Sequence, residues 1–155
     1  MPKVQPAVAG ESACNATALR KASRRLTQLY DDAREPCGLR STQYAILSEL
    51  GRRAQAPPTM RELAEALVMD RSSLGHNLRP LERDGLIALE EGVEDRRRHH
   101  VVATRKGLAM LRTARRLWQT AQDRFEDVFG KTAAKRLRST LLEIAGTERL
   151  ARLRD

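Results

Sequence analysis

One stretch, Thr59 to Thr104, limits the folds open to this chain. It reads as two short amphipathic helices joined by a tight turn, then two strands around a basic loop. Thr59 stands three residues before Glu62, the Thr-x-x-Glu pattern in which each side chain satisfies a backbone N–H left open at a helix start. Met60, Leu63, Ala64 and Leu67 follow at helical spacing and form one buried stripe. Val68 and Met69 make the turn, and Asp70 is the next N-cap. A helix over Arg71 to Asp84 turns Leu74, Leu78 and Leu81 inward and leaves Ser72, His76, Arg79 and Arg83 on the opposite face. Pro80 lies inside it, where a proline costs roughly 3 kcal/mol and one backbone bond, so a kink without a break is expected. Gly85 ends the helix where a left-handed residue is wanted. Leu86 to Glu91 and His99 to Ala103 read as half-buried strands of alternating polarity. Gly92 to Arg98 is the loop between them, with Asp95, Arg96, Arg97 and Arg98 at its tip. Helix, turn, helix and ribbon in this order make a winged helix-turn-helix, a device for laying a helix in the DNA major groove.

The flanks read as long helices. Leu19, Ala22, Leu26, Leu29, Tyr30 and Ala33 stripe a first helix over Ser12 to Arg34, stopped by Pro36 and Gly38. Asp31 and Asp32 are most simply a solvated face of that helix. A second spans roughly Ser41 to Arg53, with Tyr44, Leu47 and Leu50 on one side. Thr104 caps a fifth helix that reaches about Phe129 and shows Leu108, Leu111, Trp118, Ala121, Phe125 and Val128. Gly130 breaks it, and a sixth runs from Ala133 to about Leu153 through Leu137, Leu141 and Ile144. Such stripes need a surface to bury them. The economical surface is a second copy of the chain, which would set two reading helices about 34–36 Å apart, one turn of DNA. The predicted fold class is therefore mainly α: a winged helix-turn-helix with long N- and C-terminal dimerisation helices and one β-hairpin wing. The expected boundaries are a mobile N-terminal arm at 1–11, a helical dimerisation region at 12–36 and 105–155, and a DNA-binding region at 37–104.

Charge agrees with a polyanion partner. The net charge is +9 and the basic residues are 24 Arg and 5 Lys. The planar arginine fork suits phosphates and guanine edges, although a GC-rich genome enriches arginine as well. Residues 52–106 hold 11 basic and 9 acidic side chains, so within that stretch the charge must act through placement. Aromatic residues make up 3%, too few for a protein that stacks single-stranded bases. Cys14 and Cys37 fit no zinc spacing, and His76, His99 and His100 do not fall at ligand spacing with carboxylates or thiols. No nucleophile elbow, phosphate-cradling glycine loop or HExxH motif is present, which argues against an enzyme and against a metal or cofactor. No apolar run approaches the roughly 20 residues that span a bilayer, and MPKVQPAVAG lacks a signal-peptide core. A cytoplasmic protein without a membrane partner is expected.

The segments LAEALVMDRSSLGHNLRPLERDGLI and EDRRRHHVVATRKG, in this order of elements, resemble the MarR family of bacterial transcriptional regulators. The wing is the most specific part: Asp95, Arg97, then a strand ending in Thr104 to Gly107 as Thr-x-x-Gly. The resemblance implies a homodimer intertwined through its end helices and bound to a pseudo-palindromic operator on double-stranded DNA. It implies a repressor relieved by a small lipophilic or phenolic ligand, or by oxidation of a cysteine. Carried over by position, Arg97 resembles the wing arginine that enters the minor groove and Asp95 its positioning carboxylate, with Arg96 and Arg98 beside them. Arg71, Ser72, Ser73, His76, Asn77 and Arg79 lie where the family's recognition helix meets bases and phosphates. Tyr30, Tyr44 and Trp118 are candidates for an effector pocket. RRLTQLY resembles a branch that senses organic hydroperoxides: Tyr30 matches one of its tyrosines, while its cysteine position falls at Ala16 and a second tyrosine position at Ser41. Cys14, two residues from Ala16, is the candidate redox thiol. Two alternatives stay open: thiol-redox control through Cys14, and a winged-helix module that binds protein and not DNA.

Overall fold

The computed structural model describes residues 14–92 and 99–150. Six helices and one hairpin follow in order: α1 (Asn15–Arg34), α2 (Ser41–Arg52), α3 (Met60–Ala66), α4 (Arg71–Arg83), β1 (Ile87–Glu91), β2 (His99–Ala103), α5 (Arg105–Phe129) and α6 (Lys131–Gly146). The strands are antiparallel, with Ile87 opposite Ala103 and Glu91 opposite His99. The expected mainly helical winged helix-turn-helix is the architecture observed.

The core gathers α2, α3, α4, the hairpin and the first half of α5 around Ile46, Leu47, Leu63, Leu74, Leu81 and Val101, all fully buried. Each such side chain contributes about 1.5–3 kcal/mol by leaving water. The seven residues of α3 are too few for a helix to persist alone. Its start is held by the expected box: the Glu62 amide donates to Thr59 Oγ1 at 3.3 Å, and the Thr59 amide donates to Glu62 Oε2 at 2.7 Å. Asp70 caps α4 in the same way, accepting from the Ser73 amide at 2.8 Å. Between them Val68 takes a φ of 52°, an uncommon setting for a β-branched residue, and stands 70% exposed at the tip of the turn. The fourth helix passes through Pro80 without a break and ends at Arg83; Gly85, just past the cap at Asp84, has a φ of 70°. Burial of Leu78 and Leu81 on either side of Pro80 holds the helix together there.

The segment that follows α4 is joined to the start of α5 by several hydrogen bonds. Thr104 caps α5 through the Gly107 amide at 3.0 Å and donates its hydroxyl to the Gly85 carbonyl at 2.7 Å. The Thr104 amide donates to the Leu86 carbonyl at 3.0 Å, and Lys106 Nζ to the Asp84 carbonyl at 2.7 Å. A Cβ at Gly107 would lie 2.0 Å from the Leu86 carbonyl oxygen, so only glycine lets the two segments meet. The Thr-x-x-Gly pattern noted in the sequence is therefore a packing requirement.

Three expectations need correction. The first strand does not alternate: Leu86 and Ile87 are buried while Leu89, Glu90 and Glu91 are exposed, because its far end extends beyond the helices. The sixth helix ends at Gly146 and not near Leu153; Thr147 is extended and a short 3-10 turn follows at Glu148–Leu150. Glycine is a poor helix residue, and tertiary packing does not rescue it there, since Leu142 and Ile144 just before it are exposed. Asp31 is not a solvated residue: its Oδ1 accepts from both the amide and the hydroxyl of Ser41 at 2.6 Å, capping α2 from α1, whereas Asp32 is exposed.

Two glycines give opposite tests of this packing. Gly107→Ala is expected to destabilise the fold by about 3 kcal/mol or more, as forced overpacking does. Gly75→Ala, within α4 and with open space around the added carbon, is expected to stabilise it by up to about 1 kcal/mol. Urea unfolding monitored by circular dichroism reads both as shifts of midpoint in opposite directions.

Candidate nucleic-acid interface

The outward face of α4 is the surface the sequence singled out. Arg71, Ser72, Ser73, His76 and Arg79 are exposed on it and Asn77 is half-buried. They are not equally available. The Ser73 hydroxyl donates to Asp70 Oδ2 at 2.6 Å, and Asn77 Nδ2 donates to the Ser73 carbonyl at 2.8 Å, so both serve the helix itself. Arg71, Ser72, His76 and Arg79 make no side-chain hydrogen bond or ion pair among the described residues. Two arginines and a histidine thus face solvent with their donors uncommitted.

The base of the wing is fixed. His100 Nδ1 lies 2.8 Å from the Pro57 carbonyl, an acceptor only, so this nitrogen carries the proton. The Val101 amide donates to the Pro58 carbonyl at 2.8 Å, and Thr59 pairs with His100 in an isolated bridge. The second strand is thereby sewn to the link that leads into α3. A groove beside this seam is lined by Arg61, Glu62, Glu65, Arg71 and His99, which brings α3, the start of α4 and the wing base together. Arg61 and His99 were not among the sequence candidates; only their place in the fold groups them with Arg71. The wing-tip candidates Asp95, Arg96, Arg97 and Arg98 lie outside the described residues.

Three carboxylates near this surface are engaged. The hydroxyl and amide of Ser73 hold Asp70 below the usual carboxylate range, and the amide and hydroxyl of Thr59 do the same for Glu62. Asp84 is lowered by its hydrogen bond from Arg83.

A second cluster lies where α1, α2 and α5 meet. The rings of Tyr30 and Trp118 stack at 6.4 Å, and the Tyr30 hydroxyl donates to Gln122 Oε1 at 2.7 Å. Gln122 in turn donates to Glu126 at 2.6 Å. Burial pushes the Tyr30 hydroxyl above its ordinary pKa. Arg34, only 1% exposed, lies 5.8 Å from the Tyr30 ring centroid and 4.8 Å from that of Tyr44. It donates to Ser41 Oγ at 2.5 Å and pairs with Asp31 at 3.3 Å, while its Nε has no partner. Two of the three aromatic candidates, Tyr30 and Tyr44, thus flank one buried guanidinium that sequence reading had not singled out, and Trp118 joins them through Tyr30.

Cys14 is exposed at the N-cap of α1, and the Thr17 hydroxyl, then the amides of Thr17 and Ala16, lower its pKa. Cys37 donates to the Arg34 carbonyl at 3.2 Å. Among the described residues no three His, Cys, Asp or Glu converge as metal ligands, and no helix is long and apolar enough to cross a membrane.

These features have counterparts. A MarR family model matches residues 38–98. The transcriptional regulator MosR of M. tuberculosis, solved in complex with DNA, is 32% identical; the match covers 90% of this chain and 99% of MosR, with a TM-score of 0.78. The transcriptional repressor CouR, from Rhodococcus jostii RHA1, was solved on a 23-mer DNA duplex and is 29% identical over 85% of this chain and 92% of CouR, with a TM-score of 0.77. CouR bound to p-coumaroyl-CoA is 27% identical over 86% of this chain and 92% of CouR, with a TM-score of 0.76. No curated protein matches the chain.

The two helix caps give a pH test. Asp70 and Glu62 titrate lower in the folded chain than in the unfolded one, so their contribution is complete above the unfolded carboxylate pKa of about 4. It is lost as pH falls through their lowered folded values. The thermal midpoint should therefore drop between about pH 5 and pH 2, and drop less in Asp70→Asn, whose amide oxygen still caps without titrating.

Proposed function

Since the chain belongs to the MarR family of DNA-binding transcriptional regulators, we propose that it is a homodimeric, sequence-specific repressor released from its operator by a small molecule. The observation that carries the DNA reading is the state of α4: its leucines are buried while Arg71, Ser72, His76 and Arg79 stand in solvent with unused donors. Arginine and histidine donors on a rigid, capped helix suit base edges and phosphates. MosR and CouR, both solved on DNA, support the same use of this fold. In this reading Ser73 and Asn77 contribute from the edge of the face, and Asp95, Arg96, Arg97 and Arg98 act from the wing.

Dimerisation is supported by apolar surface left open. Leu19 in α1, Val128 and Phe129 at the end of α5, and Leu142 and Ile144 in α6 are each 45% exposed or more. A second copy covers such faces without any new chemistry. In this reading residues 12–36 and 105–155 form the dimer arms and 37–104 the reading unit. The effector reading rests on Tyr30 and Tyr44 beside Arg34, with Trp118 stacked on Tyr30, and on CouR with its bound p-coumaroyl-CoA. A ligand releases DNA only by binding the incompetent arrangement of the arms more tightly than the competent one.

A second mode of control is favoured by one observation. Cys14 is an exposed thiol whose pKa is lowered, the condition for a reactive thiolate. Under this mode peroxide weakens DNA binding by the wild type and leaves Cys14→Ser unaffected; an unchanged wild type removes it.

Sedimentation tests the assembly. The wild type is expected at twice the 17.4 kDa chain mass, and Leu142→Asp with Ile144→Asp at the single mass. A gel shift with the duplex upstream of the protein's own reading frame tests the contacts. Arg79→Ala and Arg97→Ala should each weaken binding by about 1–3 kcal/mol if they reach bases, or flatten the salt dependence by about one unit if they reach phosphates, with thermal unfolding unchanged. Binding unaltered in both variants overturns the assigned surface.

A further inference from the structure

We propose that Glu65 and Asp84 set how strictly this surface discriminates among DNA sequences, by holding Arg61 and Arg83 in pairs that a phosphate must displace. The inference rests on the reading of α4 as the helix that meets DNA. It starts from a division among the arginines. Arg61 Nε donates to Glu65 Oε1 at 2.8 Å, and Arg83 Nε donates to Asp84 Oδ1 at 3.0 Å. Arg71 and Arg79 have no carboxylate partner among the described residues. The paired arginines stand at the two ends of the surface. Arg61 lines the groove with Arg71 and His99, and Arg83 closes the face that Ser72, His76 and Arg79 begin.

Neither pair is built into the fold. The side chains of Arg61 and Glu65 are 82% and 62% exposed, and those of Arg83 and Asp84 are 75% and 52% exposed. Pairs this open add little to stability and exchange readily with solvent. Their effect falls on what approaches from outside. DNA of arbitrary sequence is held almost wholly by phosphate charge, with the duplex loosely seated. A loosely seated phosphate meets an arginine already neutralised and a carboxylate that repels it. At a fitted operator, base contacts made by α4 draw the backbone close enough for the guanidinium fork to take a phosphate in place of the carboxylate. The carboxylates therefore subtract more from random binding than from operator binding. This also gives a use to the acidic side chains that leave residues 52–106 with an excess of only two positive charges.

The test uses the full chain and two duplexes of equal length, one of random sequence and one enriched for tight binding from a random pool. Binding is measured across a salt series for the wild type, Glu65→Gln, Asp84→Asn and Glu143→Gln. The last adds the same charge on α6, at a carboxylate that pairs with no arginine among the described residues. For the random duplex, the slope of log affinity against log salt is expected to steepen by about 0.9 per arginine released. Affinity for that duplex rises more than affinity for the enriched one, so the ratio of the two falls. Adding Arg61→Ala to Glu65→Gln removes the gain. Equal gains on both duplexes, or the same gain in Glu143→Gln, overturn the inference, as does a wild type that binds DNA while the Glu65 and Asp84 variants bind it identically. A wild type that binds neither duplex overturns the DNA reading as well.

Discussion

The first turn of α5 against the end of α4 is the contact on which the rest of the molecule depends. Three successive carbonyls, of Asp84, Gly85 and Leu86, each accept a hydrogen bond from Lys106 or Thr104. Those carbonyls follow directly on α4, so its end cannot tilt without disturbing the start of α5. Gly107 makes the approach possible by having no side chain to hold the segments apart. The fifth helix then runs 25 residues, roughly 37 Å, from this joint to Phe129. The far end of α5 is thus tied, through one continuous helix, to the segment that follows α4.

A second joint ties the other side of the reading unit to α1, with a different chemistry. Burying a guanidinium is costly unless it is paired and hydrogen-bonded. Arg34 meets that condition with Asp31, Ser41 and two tyrosine rings, although its Nε stays unmet. Asp31 also caps the start of α2, so one carboxylate fixes both the cation and the next helix. The cluster belongs to α1, α2 and α5 together, through the stacking of Tyr30 on Trp118. Removing Asp31 or Ser41 would leave the Arg34 charge buried and short of partners, a penalty that far exceeds that of a broken surface contact.

What the sequence made legible was local. The caps at Thr59, Asp70 and Thr104 lie three residues from the amides they serve, and the leucine stripes lie within single helices, so spacing alone located them. What stayed hidden depends on distance. Arg34 ends a helix rich in exposed arginines, and only the folded position of Tyr44 and Ser41 separates it from them. Asp31 looks like its neighbour Asp32 until α2 is brought against it. Gly107 could be matched to a pattern, but its reason is Leu86, 21 residues earlier. The exposed face of α4 was legible as a face. That Ser73 and Asn77 are partly committed to the helix was not, since it depends on which of several nearby acceptors a side chain takes.

The placement of charge separates attraction from recognition. The chain carries an excess of nine positive charges, and residues 52–106 account for two of them, which leaves seven on the rest of the chain. Those seven strengthen the overall field toward a polyanion most at low ionic strength; at physiological salt, charges more than about 8 Å from a phosphate are largely screened. On the proposed reading, the stretch that meets DNA carries an excess of only two charges, and directed donors on Arg71, Ser72, His76 and Arg79 carry the hold. On that reading, a stretch carrying all nine charges would grip any duplex, whereas one carrying two must find bases that fit before it holds.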